Sequence, residues 1–543
     1  MKQTLFLLAY ILLLINSFVF SQEQELKFVF RNASEEKNIQ LNKLNQIKSN
    51  KSFKKTLDSI SYALKLKGYF YNRIDSIVDN KKQKLVHLYF GKKIDYITIT
   101  IPDTKLTSLN IRKEIRTEEL PEVLKTINSK LELQGKPFSK SHLEEIKLID
   151  NKVYATLNIK ESRKRTLDKI LIKGYDKFPK SYLKHFVKIK PKSTINKNLI
   201  EQISNRINAI PFINQKKEPE LLFSKDSTLL YIYVEKAKNS NFDGLINFNS
   251  ENTEKLEING NINLELNNLL NTGEKLHLNW NANGNDRQNL TLKTFIPYLF
   301  NSPISNESSF EIYRQDSTFL NSNFKTSFLY DINSKIKTGI QFENQESNET
   351  STTNLNTPDF SSYFFGLNFS YQSLKSDNYS TPKFFFQFTP LYGERKTNNI
   401  TSNQIKTEIE TTLTLRINKR SSLYIKNETG LLFSSVFFLN ELYRIGGINS
   451  LRGFDPQSIF VKKFSYLNTE YRFSTSKDSF LYTILDPAIF EDINNNNFTA
   501  FGYGIGYAFK RRNSLINLSI SSGISRIRNN TPLNLSIIFK NYF

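Results

Sequence analysis

The chain has 543 residues, with 75 Lys and Arg against 52 Asp and Glu for a formal charge of +23. It is 38% hydrophobic yet 13% aromatic, carrying 44 Phe, 26 Tyr and no cysteine. The missing cysteine excludes disulfides, thiolate metal sites, iron–sulfur clusters, cysteine nucleophiles and a lipoprotein anchor, and four scattered histidines argue against a histidine metal centre.

Residues 1–21 read as a signal peptide: Met1-Lys2-Gln3-Thr4, an apolar run over 5–15, and Val19-Phe20-Ser21 before Gln22. An uncleaved anchor is the alternative, but a spanning helix needs ~20 apolar residues, and Asn16 and Ser17 interrupt this run. No later stretch is long and apolar enough to cross a membrane as a helix, so a membrane-embedded mature chain has to be a barrel. Charge divides the chain near Lys238. Residues 23–238 hold 45 Lys and Arg against 25 Asp and Glu; residues 239–543 hold 29 against 27. A basic front could bind nucleic acid, but an exported protein rarely meets any. Anionic lipid headgroups or acidic clients suit it better, with unselected lysine at exposed positions as the plain alternative.

Three stretches of the front, over 22–93, 94–163 and 164–238, share one order: strand, two helical segments, a Gly or Pro break, then two strands. In the first, a strand at 25–30 precedes a helix over 54–66, with Leu57, Ile60 and Leu64 on one face. Lys67-Gly68-Tyr69-Phe70 ends it, and strands follow at 70–78 and 85–90. The second has a strand at 96–99, a helix over 121–133, a break at Gln134-Gly135-Lys136-Pro137-Phe138 and a closing strand at 153–159. The third opens at 167–172, turns at Lys173-Gly174-Tyr175, and has helices near 182–187 and 198–207 and strands at 220–223 and 228–234. These units resemble polypeptide-transport-associated (POTRA) domains, through Lys67-Gly68-Tyr69-Phe70 after a helix and Ile170-Leu171-Ile172-Lys173-Gly174 opening a unit. The resemblance implies sheet edges that take up an extended client strand. Plain α+β spacers are the alternative.

From residue 239 the pattern changes to period-2 segments separated by polar turns. Leu256, Ile258, Ile262, Leu264 and Leu266 oppose Glu257, Asn259, Asn261, Asn263 and Glu265. Leu367, Phe369 and Tyr371 oppose Gly366, Asn368, Ser370 and Gln372; Leu413, Leu415 and Ile417 oppose Thr412, Thr414 and Arg416; Ile516, Leu518 and Ile520 oppose Asn517, Ser519 and Ser521. One apolar and one polar face for ~10 residues at a time is the pattern of a transmembrane β-barrel. About sixteen antiparallel strands fit residues 239–543, at ~9–11 residues each. Residues 346–358 and 494–497 look like surface loops. Leu533, Leu535, Ile537 and Phe539 alternate to a terminal Phe543, with Asn541 on the apolar parity. Phe539 and Phe543 resemble the C-terminal signal of bacterial outer-membrane barrels.

One motif is sharp. Residues 443–456 include Gly446, Gly447, Leu451, Arg452, Gly453 and Phe454, ahead of the last four strands. Signal peptide, tandem POTRA-like units, barrel, Arg-Gly-Phe loop and terminal Phe together resemble the BamA/TamA outer-membrane assembly superfamily (bacterial surface antigen family). Three POTRA-like units bring it closest to the TamA-like members. That resemblance implies an inward loop whose arginine tip lies in the lumen and pairs with an acid on the following wall. Asp486 fits that place and Glu470 is the second candidate; Pro487 after Asp486 departs from the family's small residues. An arginine in a lumen needs such a partner, because an unpaired buried charge is costly, and a bidentate carboxylate would make the loop a strut.

No Gly-x-Ser-x-Gly elbow, phosphate loop or His-Glu-x-x-His is present. His87, His142, His185 and His277 each sit alone. No catalytic residue, cofactor or metal is therefore expected, and no enzyme. The resemblance implies a factor in the cell outer membrane, with POTRA domains in the periplasm, that assembles, inserts or translocates proteins. Its partners would be unfolded outer-membrane or secreted clients, outer-membrane lipid and a periplasmic or inner-membrane protein, with no nucleic acid. The seam between the first strand, near 243–248, and the last, 533–543, would template a client strand. A two-partner-type secretion pore for one substrate is the alternative, and a passive structural or diffusion porin is an alternative of another class.

Overall fold

The computed structural model describes residues 24–30, 46–47, 50–80, 83–101, 112–150, 152–249, 257–283, 287–316, 318–350, 357–373, 382–398, 400–526 and 531–543. The signal peptide expected at 1–21 lies outside the described residues. The chain forms two compact units: residues up to Thr166 with Thr194–Asn198, and Leu167–Ser193 with Leu199–Phe543.

The first unit holds two small α+β domains. In the first, β1 (Gln24–Phe30), β2 (Gln46–Ile47), helix Asn50–Leu66, β3 (Arg73–Asn80) and β4 (Gln83–Tyr89) give a sheet ordered β2-β1-β4-β3. Leu57, Ile60 and Leu64 line one face of the helix and are buried with Val86, Leu88 and Phe90, each such burial worth about 1.5–3 kcal/mol. Gly68, at φ 97°, closes the helix by letting the Tyr69 N–H reach the Leu64 carbonyl at 3.0 Å. The strand expected from Phe70 therefore begins at Arg73, because residues 69–72 are taken up in the turn.

The second domain repeats the plan with β5 (Tyr96–Thr100), β6 (Glu114–Arg116), helix Leu120–Leu133, β7 (Lys140–Ile149) and β8 (Lys152–Lys160), ordered β6-β5-β8-β7. Gly135, at φ 85°, ends its helix in the same way, with the Lys136 N–H on the Leu131 carbonyl at 3.0 Å. Among the described residues this domain has one α-helix, entered from a 3-10 turn over Thr117–Glu119; residues 102–111, where a further helical segment is expected to fall, lie outside the described residues. The Thr117 hydroxyl holds that turn to the Ile94 carbonyl at 2.7 Å.

The second unit begins with a third small domain. Its elements are β9 (Lys169–Lys173), helices Lys180–His185 and Lys197–Asn208, β10 (Ile213–Phe223) and β11 (Thr228–Lys236), in the sheet order β10-β11-β9. Ile203 and Ile207 of the longer helix and Leu230, Ile232 and Val234 of β11 are buried. A closed antiparallel barrel of 16 strands follows. It runs through β12 (Asn241–Asn249), β13 (Glu257–Asn267), β14 (Lys275–Asn283), β15 (Arg287–Ile296), β16 (Ile304–Gln315), β17 (Phe319–Asp331), β18 (Ile336–Glu349) and β19 (Phe360–Gln372). It continues through β20 (Phe384–Lys396), β21 (Thr401–Arg416) and β22 (Ser421–Phe433). A loop carrying the short strands β23 (Tyr443–Ile445) and β24 (Ile459–Val461) leads to β25 (Lys463–Ser474), β26 (Ser479–Glu491), β27 (Asn497–Arg511), β28 (Ser514–Ser525) and β29 (Asn534–Tyr542).

Exposure follows the period-2 alternation in the inverse sense of a soluble protein. Leu367, Phe369, Leu415, Leu518 and Ile520 are exposed; Asn368, Thr412, Thr414, Ser519 and Ser521 are buried. A closed barrel wearing an apolar belt of this kind is stable in hydrocarbon, not in water. No helix among the described residues is long and apolar enough to cross a membrane. Residues 346–349, expected in a surface loop, extend β18 instead, because Glu346 and Ser347 pair with Ser322 and Asn321 on one side and with Ser361 and Phe360 on the other. The asparagines at 494–496 form the β26–β27 turn, with the Asp492 carboxylate accepting the N–H groups of Asn494 and Asn496.

The third domain is seated on barrel turns. The Tyr182 ring covers Gly273, where a Cβ would lie 2.2 Å away, and meets Tyr298 edge-on at 5.0 Å. The Tyr175 hydroxyl donates to Asn271 Oδ1 at 2.7 Å and accepts from Asn268 Nδ2 at 2.8 Å. Burial, then the negative charges of Asp331 and Glu274, pushes the Tyr182 hydroxyl far above its ordinary pKa and keeps it neutral.

Candidate functional site: the lumen loop and the barrel seam

Residues 434–462 form a hairpin, with Tyr443 opposite Val461 and Ile445 opposite Ile459. Gly446 and Gly447 have φ of 113° and 100°, and a turn closes between the Gly447 N–H and the Leu451 carbonyl at 3.1 Å. Arg452 follows directly. Its Nε and Nη2 donate to the two oxygens of Asp486 at 2.7 Å each, and Nη1 donates to Glu470 Oε1 at 2.5 Å. Arg472 Nε holds the other oxygen of Glu470 at 2.8 Å, its guanidinium lying 4.0 Å over the Tyr424 ring. Asn468 Nδ2 joins Asp486 to the Ser450 carbonyl, at 2.9 and 2.7 Å. Two arginines and two carboxylates therefore form a neutral, hydrogen-bonded cluster, the condition under which buried charges are tolerated.

Pro487, next to Asp486, stays inside β26 opposite Phe501. Proline has no N–H to give a neighbouring strand, and the β25–β26 ladder is interrupted here, between Tyr466–Ala488 and Thr469–Leu485. Asn468 lies in that gap. The tip itself is seated on bare backbone. A Cβ on Gly502 would lie 2.0 Å from the Arg452 carbonyl oxygen, one on Gly453 2.3 Å from the Ser522 carbonyl oxygen, and one on Gly523 2.5 Å from the Phe454 ring. Gly453 also has φ 90°. Leu451 and Phe454 are buried with Ile445, Tyr466, Ala488 and Phe490.

A second anchor gives no motif in the sequence. Arg395 of β20 is fully buried and donates to Glu441 Oε1 at 2.5 Å and Ser402 Oγ at 2.9 Å, over the Phe438 ring at 4.0 Å. Glu441 also accepts from Gln404 Nε2 at 2.8 Å and the Phe438 N–H at 2.9 Å. Here the arginine belongs to the wall and the carboxylate to the loop, the reverse of Arg452 and Asp486. Between the anchors, Arg444 lies 3.8 Å over the Tyr313 ring and 3.3 Å from Glu311, and Lys406 pairs with Glu343 at 2.7 Å. The inward parity of Arg395 in an otherwise apolar-out strand was the available signal, and parity alone does not identify a partner.

The seam is different. β12 and β29 close the barrel through two residue pairs, Asn241–Tyr542 and Phe242–Asn541, and the Phe543 N–H donates to the Ser240 carbonyl at 2.9 Å. On their other sides β12 has nine paired residues with β13, and β29 eight with β28. Both strands thus keep most of one edge without a ladder partner at the point of closure. Phe539 faces outward from β29 and Phe543 is exposed beyond it. No cluster of His, Cys, Asp and Glu suited to a metal occurs among the described residues.

No family model matches the sequence, and no curated protein matches it. Among solved structures the chain is similar to BamA from Haemophilus ducreyi lacking POTRA domains 1–3, at 13% identity and TM-score 0.49, over 82% of this chain and 99% of that one. It is similar to CdiB from Escherichia coli at 13% identity and TM-score 0.49, and to CdiB from Acinetobacter baumannii at 14% and 0.48, each over 91% of this chain and 97% of that one. The fold and the site define a class: a sixteen-stranded β-barrel with a loop docked in its lumen, preceded by small α+β domains.

Proposed function

We propose that the chain is a non-catalytic outer-membrane factor that inserts or translocates polypeptide clients, which its POTRA-like domains collect in the periplasm. The observation that carries this reading is the two-pair closure between β12 and β29. Unpaired strand edges in hydrocarbon are costly, so an incoming strand gains there what the barrel itself leaves unmade. The Arg452 cluster serves as a strut that keeps the adjoining wall in one shape while the seam opens. A docked loop and appended domains count against a passive diffusion porin.

A second reading, export of one dedicated polypeptide through the lumen, draws on the inward residues near the seam. Asn261 and Asn281 are exposed, and Asn263 joins Asp243 to His277 at 2.9 and 2.7 Å, a polar surface whose asparagine amides suit backbone amides. Depletion of the protein followed by quantitative outer-membrane proteomics separates the two. Loss of many barrels supports general assembly, and loss of one secreted product supports dedicated export. An unchanged membrane proteome and secretome overturns both.

A further inference from the structure

The barrel rim that carries the third domain has a feature the proposed function leaves unused. The turns after β13, β15 and β17 expose Leu270, Phe300 and Ile332. Phe300 is wholly exposed, with φ 51°, between Tyr298 at 53° and Asn301 at 58°. Aromatic residues rarely adopt this left-handed backbone, so the turn aims the ring outward at a conformational cost. The flanking strand ends are apolar and exposed as well: Ile296 and Ile304 beside the Phe300 turn, Phe328 and Tyr330 before Ile332. The lipid-facing belt therefore continues off the wall onto the turn tips.

Lysines reach the same rim from the third domain. Residues 167–193 carry eight lysines against two aspartates. His185 stacks on Tyr298 at 5.3 Å and donates to the Asn301 carbonyl at 2.8 Å, and Lys188 Nζ donates to the Ile332 carbonyl at 3.1 Å. These contacts set Lys188 on the Ile332 turn and His185 on the Phe300 turn, with exposed Lys184 and Lys190 next to them along the chain. An apolar layer bordered by cations is the profile of a surface that sits in the interface of a bilayer with anionic headgroups.

We propose that this rim is a phospholipid footing: Leu270, Phe300 and Ile332 lie in the interfacial layer of the leaflet on the third domain's side, and Lys184, Lys188 and Lys190 meet its headgroup phosphates. It rests on the membrane reading above, and a protein partner is the competing occupant. The single tryptophan, Trp280, shares the outward parity of Leu276 and Leu278 on β14 and serves as an internal control.

The full chain is folded into phosphatidylcholine vesicles whose acyl chains carry bromine either near the carbonyl or deep in the tail. Trp280 in the native chain is expected to be quenched. In a chain carrying Trp280→Phe and Phe300→Trp, the footing predicts blue-shifted emission quenched mainly by the shallow bromines, and Leu270→Trp in the same background gives a second reporter. Adding phosphatidylglycerol deepens that quenching, and Lys184→Ser, Lys188→Ser and Lys190→Ser together remove the increment. Red, unquenched emission at both reporters while Trp280 is quenched overturns the footing and leaves the rim to a protein partner. An unquenched Trp280 in the folded native chain overturns the membrane reading itself. An increment that survives loss of the lysines overturns their part.

Discussion

The wall that holds the loop and the strands that flank the seam are built on opposite terms. From β18 to β28 the inner face is tied to the loop by Arg395–Glu441 and Arg452–Asp486, and Lys406, paired with Glu343 within the wall, lies 5.3 Å from the Tyr443 ring of the loop. Beside the seam, β13 and β14 turn exposed asparagines inward, and the first and last strands share two residue pairs. Neutral asparagines and a short ladder make little that has to be broken. Paired charges make a great deal, since removing one partner leaves the other buried alone. Ion pairing is thus concentrated on the wall under the loop, and on the proposed function that wall keeps its shape while the seam opens.

The largest effects should come from stranding a charge on the rigid side. Arg452→Ala leaves Asp486 and Glu470 without their shared cation, and Arg395→Ala leaves Glu441; each is expected to cost about 3–5 kcal/mol. Heat-modifiability on gels and urea titration in vesicles would read the loss. Unchanged stability and client assembly in Arg452→Ala would remove the strut. Somewhat smaller is the effect of crowding the tip. Gly502→Val puts carbon where the Arg452 carbonyl lies, so a penalty of about 1–3 kcal/mol is expected, with the loop becoming open to protease. Gly273→Val drives the same kind of clash into the Tyr182 ring and should raise hydrogen exchange across the third domain while leaving the barrel intact.

Asn263→Ala, on the seam side, removes bonds to Asp243 and His277 from a partly exposed site and should cost about 1 kcal/mol or less. If it matched Arg452→Ala, the contrast between the two regions would fail. The smallest effect is in acid. Burial would raise the Glu274 pKa, but the Thr272 hydroxyl and the Leu270 and Thr272 N–H groups outweigh it and hold the carboxylate below its ordinary value. Its contribution is then complete above about pH 4.3 and lost as the pH falls through the lowered pKa. Amide exchange at Leu270 and Thr272 should quicken only in that acid range.

Much of this architecture was legible because it rests on periodicity. The 57, 60, 64 spacing dictates a helix, and apolar-polar alternation dictates a barrel strand with a defined outer face. Lys67-Gly68 showed where a helix ends, but it did not show that residues 69–72 are needed to close the turn before β3 starts. Arg452, Asp486 and Glu470 were legible through the family resemblance, which implies an inward arginine paired with an acid on the following wall. The structure brings all three within hydrogen-bond distance. Arg395 and Glu441 stand 46 residues apart in unremarkable surroundings, and only closure of the barrel brings them together. Gly502 and Gly523 were equally hidden, because a bare strand backbone acquires meaning only from what lies on it.

The chain's lack of cysteine makes the seam directly testable. Phe242→Cys with Asn541→Cys places two thiols on directly opposed residues, within the reach of a disulfide across an antiparallel pair. Client assembly would be followed with the bond formed and then reduced in the same preparation. The account predicts that the oxidised barrel folds normally but does not assemble clients, and that reduction restores assembly. Equal assembly in both states would contradict it.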